Sequence, residues 1–130
     1  MGTLCTRLKN VKEAGAYQLN CSVDELHEAA KEAGYILFEC DLAGRHGKGE
    51  FLAAIAQAIK APEWFGHNFD ALADALGDLS WNDAPGYILL LRNGGETLGL
   101  QNDHLIVTEI FASAATFWKS QGKAFWVFYC

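Results

Sequence analysis

Two aspartates four residues apart, Asp70 and Asp74, are the side chains of this chain best placed to bind a charged group. They follow Asn68, a residue type that caps helix starts, so the sequence predicts a helix with Asp70 in its first turn and Asp74 one turn later. At about 100° per residue, both carboxylates lie on one side of that helix. The apolar residues of the segment gather on nearly the opposite side: Phe69, Leu72, Leu76 and Leu79. The acids are therefore expected to face solvent or a partner.

The segment before this helix combines large aromatic residues with glycine. Trp64 and Phe65 precede Gly66, immediately beside the two acids. Aspartates on a solvated helix face are ordinary, and alone they would indicate only a surface helix. Aromatic side chains next to unpaired charges are instead typical of an interface hot spot. We expect Phe65 to point inward and Trp64 to be partly exposed.

His67 suggests an enzymatic alternative, in which Asp70 or Asp74 acts as a general base or metal ligand. A metal site needs three or more converging ligands, and the sequence has no His pair at three- or four-residue spacing and no close Cys pair. The cysteines also lack a recognisable motif for nucleophilic catalysis. We therefore expect no metal, no cofactor and no enzymatic activity.

Length and composition predict a single domain. The chain has 130 residues, of which 51% are hydrophobic, enough for one core. No apolar run approaches the ~20 residues of a membrane span, and the N-terminus lacks the pattern of a secretory signal, so a cytoplasmic protein is expected. The net charge of −6 argues against direct binding of nucleic acid and favours a basic protein partner.

The four cysteines, Cys5, Cys21, Cys40 and Cys130, have no close spacing. A chain of this size does not need disulfides for stability, so reduced thiols are expected. Cys40 lies in an apolar run and is predicted to be a small core residue.

Three apolar segments of strand length alternate with helical patterns, which predicts an α/β fold with a small three-stranded parallel sheet packed with helices. The predicted strands are Tyr35–Cys40, Tyr87–Leu91 and Ala124–Tyr129, after an added short strand at Tyr17–Leu19. The predicted helices run from the Ser22 cap to Gly34, from Glu50 to Ala61, from the Asn68 cap, and from Asp103 to Gln121. The buried stripe expected in the last helix is Val107, Ile110, Phe111, Ala114, Phe117 and Trp118.

The loop and the acidic helix resemble the corresponding segment of the barstar family of ribonuclease inhibitors. The ungapped match comprises Pro62, Glu63, Trp64, Phe65, Gly66, Asn68, Asp70, Ala71, Leu72 and Asp74. A weaker correspondence of hydrophobic spacing extends from Tyr35 to the end of the chain. The resemblance implies a barstar-like core over 35–130, to which 1–34 add a strand and a helix.

By resemblance, the chain is expected to inhibit a basic ribonuclease or a related toxin. Two carboxylates one helical turn apart, about 6 Å, would occupy phosphate positions in the active site of the enzyme and block it competitively. The predicted partner-binding residues are Trp64, Gly66, His67, Asn68, Phe69, Asp70, Ala73 and Asp74.

The sequence departs from the family at three positions. The family has an aromatic residue where this chain has Ala73, and acids in the last helix where this chain has Phe117 and Gln121. These differences keep an alternative open, in which the chain is a protein–protein interaction module on a barstar-like fold without a nuclease target.

Overall fold

A four-stranded parallel sheet lies at the centre of this computed structural model, which describes residue 8 and residues 10–44, 47–61, 68–93 and 104–130. The strands are β1 (Ala16–Gln18), β2 (Ile36–Asp41), β3 (Gly86–Arg92) and β4 (Ala124–Tyr129), in the spatial order β1-β4-β3-β2. The helices are α1 (Val23–Ala33), α2 (Gly47–Ala58), α3 (Phe69–Leu76) and α4 (His104–Ser120). The predicted α/β class and parallel sheet are confirmed.

The two central strands, β3 and β4, are apolar at almost every position because both of their faces are covered. Side chains alternate across the sheet, so Tyr87 and Leu89 point to one face while Ile88 and Leu90 point to the other. Ala124–Tyr129 matches the predicted strand residue for residue.

The first face of the sheet is covered by α2, α3 and α4. The predicted core residues of the second helical segment are all fully buried: Phe51, Leu52, Ile55 and Ile59. This helix begins at Gly47 and ends at Ala58, three residues earlier at each end than predicted. It ends there because Lys60 adopts a left-handed conformation, with a φ of 55°.

The second face is covered by α1 and the chain that precedes it. Leu26 and Ala30 of α1 pack with Trp126 and Phe128 of β4. The indole nitrogen of Trp126 donates a hydrogen bond of 3.0 Å to the backbone oxygen of Leu8. Strand β1 extends the sheet beside β4, one residue earlier than predicted.

The ends of α1 follow the local signals in the sequence. The Ser22 hydroxyl accepts a hydrogen bond of 3.1 Å from the backbone N–H of Glu25. Gly34 then ends the helix with a φ of 76°, a conformation that other residues adopt at a cost. Both caps were predicted from residue type and are confirmed.

Two predictions about side chains are wrong. Phe117 is 42% exposed, because the buried side of α4 is centred about 100° away, on Trp118 and its neighbours.

Cys21 takes part in a disulfide, whose partner lies outside the described residues, although Cys40 and Cys130 carry thiols as expected. The spacing of cysteines along the sequence does not reveal a disulfide between cysteines that are far apart in the chain. The predicted burial of Cys40 is confirmed.

Candidate protein-binding site

The acidic helix α3 begins where its sequence places the cap. Asn68 is extended, with a φ of −144° and a ψ of 167°. Its side-chain oxygen accepts a hydrogen bond of 2.7 Å from the backbone N–H of Ala71. This bond satisfies one of the amides that a helix start leaves without an intrahelical partner. The first turn, which carries Asp70, is thereby held in a defined orientation.

The opposite side of α3 is anchored in the core. Leu72, Ala75 and Leu76 are fully buried, and Phe69 is half-buried against the same cluster. The indole nitrogen of Trp118 in α4 donates a hydrogen bond of 2.8 Å to the backbone oxygen of Leu76. Because the last carbonyls of a helix lack intrahelical partners, this bond also satisfies the end of α3.

The exposed side of α3 carries the two acids. Asp70 and Asp74 are exposed, as is Ala73 between them. Within the described part of the chain, neither carboxylate makes a hydrogen bond or an ion pair. Asp83 contrasts with them, since its carboxylate lies 2.7 Å from the ammonium group of Lys123. The charges of Asp70 and Asp74 are therefore not neutralised by a described neighbour.

Five of the eight predicted partner-binding residues lie together in the cap and the first two turns of α3: Asn68, Phe69, Asp70, Ala73 and Asp74. Their partner-binding role stays a prediction. Phe69 also anchors the helix, because it is half-buried against the core. Trp64, Gly66 and His67 lie outside the described residues, as does Phe65, whose inward orientation was predicted.

Sequence reasoning missed an exposed apolar surface on α4. Leu105 is 72% exposed, and Ile106 and Phe117 are each 42% exposed. The sequence contains a signal for this surface, because residues 105–120 have few charged side chains: Glu109 and Lys119. A helix with one buried side and few charges on its remaining surface is unusual for a solvated element.

A separate charged cluster lies on β2, the strand at the opposite edge of the sheet from β1. One carboxylate oxygen of Glu39 lies 2.8 Å from His27 of α1, and the other lies 2.8 Å from Arg92 of β3. The hydrogen bond from His27 is the largest cause that lowers the pKa of Glu39, and Arg92 lowers it further. This cluster ties α1 to the edge of the sheet.

The described residues contain no group of three or more His, Cys, Asp or Glu side chains arranged to hold a metal ion. None of the described helices has both the length and the apolar character needed to cross a bilayer.

Comparison with known protein families places most of this chain in one of them. The sequence model of the family described as Barstar (barnase inhibitor) matches residues 35–130, which is more than half of the chain. The matched region includes α3 and α4 and begins just after α1. No curated protein matches this chain.

Proposed function

The chain belongs to the barstar family, and we propose that it inhibits a basic ribonuclease by inserting the acidic side of α3 into the active site. In this proposal Asp70 and Asp74 take the places of two RNA phosphate groups. The observation that carries it is the pair of exposed carboxylates on one helix face, with no ion pair to another described residue.

The spacing and the chemical type of the two acids suit this role. Side chains four residues apart on a helix are separated by about 6 Å along its axis. Carboxylates at this spacing accept charge-assisted hydrogen bonds from the Arg and Lys side chains that hold an RNA backbone. Substrate and inhibitor would then compete for the same cationic groups.

The rigidity of α3 supports tight binding. The Asn68 cap fixes the start of the helix, and the Trp118 hydrogen bond fixes its end. Groups that are already ordered lose little conformational entropy when a complex forms. The net charge of −6 would also speed the encounter with a basic enzyme.

A second candidate function is a protein-binding module without a nuclease target. Phe117 favours it, because an exposed aromatic side chain stands where the resemblance places an acid. Such a module would bind through the same side of the molecule and would not affect RNA cleavage.

An inhibition assay separates these two functions. A panel of purified basic ribonucleases, barnase among them, would be assayed for RNA cleavage at increasing concentrations of the protein. We expect competitive inhibition of at least one enzyme. The double variant Asp70→Asn with Asp74→Asn should weaken that inhibition by about 100-fold or more, because paired charges at an interface centre dominate binding energy.

The double variant Glu28→Gln with Glu32→Gln provides the matched control. Both glutamates are exposed acids of α1, four residues apart and on the other side of the sheet, so their replacement removes the same two negative charges without touching α3. The control should leave inhibition within about twofold of wild type, since a distant exposed charge is screened by salt. Inhibition that survives the replacement of both Asp70 and Asp74 would refute the proposed site. If the wild-type protein inhibits no enzyme of the panel, the second candidate function, the interaction module, is favoured.

A further inference from the structure

Three apolar side chains of α4 lie on one narrow strip of its surface. Ile110 and Phe117 follow Ile106 by four and eleven residues, which places all three within about 40° around the helix axis. Ile106 and Phe117 are each 42% exposed, and Ile110 is half-buried. Ser113 is the fourth residue of this strip, which we name the α4 apolar strip. Single exposed apolar residues are normal on proteins, but an aligned set indicates a contact surface.

The α4 apolar strip adjoins the acidic helix. The ring of Phe117 packs edge-on against the ring of Trp118, with centroids 5.1 Å apart and planes at 74°. Trp118 in turn donates its hydrogen bond to the backbone oxygen of Leu76, at the end of α3. Since α3 and α4 pack on the same face of the sheet and Phe117 contacts the side chain that bonds to α3, the Phe117 end of the strip lies close to the end of α3.

The strip itself carries no charge. The two charged side chains between residues 105 and 120, Glu109 and Lys119, lie about 60° and 140° around the helix from Ile106, outside the strip. A partner therefore meets two kinds of surface side by side: carboxylates on α3 and uncharged apolar groups on α4.

Building on the proposed function, we propose that the α4 apolar strip forms the second half of the ribonuclease-binding surface. The target would carry an apolar patch beside its cationic cleft, at the position that faces α4. Charge complementarity favours this occupant over a second copy of the chain. Two copies, each with a net charge of −6 and with acids beside the strip, would repel one another. The area of three side chains is also smaller than the ~800 Å² that each partner buries in a stable interface.

The two halves of the surface differ in their response to salt. Contacts of Asp70 and Asp74 with basic groups weaken as ionic strength rises. Apolar contacts do not depend on charge screening, because burial of apolar surface drives them. Binding measured at low and high salt therefore distinguishes the contribution of α4 from that of α3.

The experiment uses an enzyme of the ribonuclease panel that the wild-type protein inhibits. Dissociation constants would be measured at low and high salt for wild type, Phe117→Ala, Ile106→Ala and Asp70→Asn. We expect each apolar variant to weaken binding by about tenfold at both salt concentrations, as for truncated hot-spot residues. Asp70→Asn should weaken binding mainly at low salt.

Leu105→Ala is the matched control. Leu105 is 72% exposed but lies about 100° away from Ile106, outside the strip. Its truncation removes a similar apolar side chain and should change binding by less than about twofold, because it does not face the partner. Thermal unfolding of every variant checks that the fold is retained. Ile106→Ala keeps the test valid even where Phe117→Ala disturbs Trp118.

The possible results are distinct. If both apolar variants bind within about twofold of wild type while Asp70→Asn binds more weakly, the strip is not part of the interface and the proposed function stands. If the wild-type protein inhibits no enzyme, both proposals are refuted. If sedimentation shows a wild-type dimer that Phe117→Ala dissociates, the strip is a contact between copies and the inference is overturned.

Discussion

Replacement of Trp118 by phenylalanine tests how α3 is held in place. Trp118 is 7% exposed, and its indole nitrogen donates the 2.8 Å hydrogen bond to the backbone oxygen of Leu76. Trp118→Phe keeps an aromatic ring in the core but removes the donor. The carbonyl at the end of α3 would then lose its described hydrogen-bond partner.

The expected loss has two parts. A buried carbonyl left without a hydrogen bond costs about 1–3 kcal/mol. The smaller ring also loses packing against Tyr87, whose ring centroid lies 5.1 Å from that of Trp118, and the space left behind adds about 1 kcal/mol. Trp118→Phe should therefore lower the free energy of unfolding by about 3 kcal/mol, measured by urea denaturation with circular dichroism.

A second buried tryptophan provides the control. Trp126 is fully buried and donates a 3.0 Å hydrogen bond to the backbone oxygen of Leu8, on the side of the sheet away from α3. Trp126→Phe should lower stability by a similar amount and leave ribonuclease inhibition unchanged under conditions where the variant is folded. Trp118→Phe should weaken inhibition as well, because the end of α3 loses its hydrogen bond to α4 and the acidic side is held less rigidly. A stability loss below about 0.5 kcal/mol for Trp118→Phe, or equal inhibition by the two variants, would refute this reasoning.

Three further predictions concern single positions. Asn68→Ala should lower the free energy of unfolding by about 1 kcal/mol in urea denaturation while Asn68→Asp retains stability, because only the latter keeps a capping oxygen. The hydrogen bond from His27 is the chief cause that holds the folded-state pKa of Glu39 below the ordinary value of a glutamate. The stability that Glu39 contributes is therefore present above its unfolded-state pKa and is lost as pH falls through the folded-state pKa. As the pH is lowered, the free energy of unfolding should therefore decline less for Glu39→Gln than for wild type. Gly86→Ala should lower the melting temperature, because a Cβ atom there would lie 2.6 Å from the ring of Tyr35.

Much of the fold follows from local features of the sequence. The β4 segment is apolar throughout, which is the pattern of a strand covered on both faces, and it forms that strand. The starts of α1 and α3 follow from Ser22 and Asn68, whose side chains bond to amides three residues later. Because these signals need no knowledge of distant contacts, they could be predicted from residue type and spacing.

Other features depend on contacts between distant residues. The hydrogen bond from Trp118 to Leu76 joins residues 42 positions apart, and no sequence period indicates it. The α4 helix carries apolar residues on more than one side, so its period alone does not show that Phe117 faces solvent. Similarly, the exposure of Asp70 and Asp74 agrees with helical spacing, but the lack of an ion-pair partner among the described residues depends on how distant segments pack.

The proposed binding site lies on one face of the sheet, and the residues that precede the family match cover the other face. The family match begins at residue 35, after α1, yet Trp126 and Phe128 of the matched region are buried beneath α1 and the chain before it. Without that cover, large aromatic side chains would be exposed in a continuous apolar face, a surface prone to aggregation. We therefore infer that Leu8 and residues 10–34 act as a structural layer. Since this layer lies opposite α3, it leaves Asp70 and Asp74 accessible, so core variants such as Leu26→Ala should reduce stability while inhibition by the folded fraction persists.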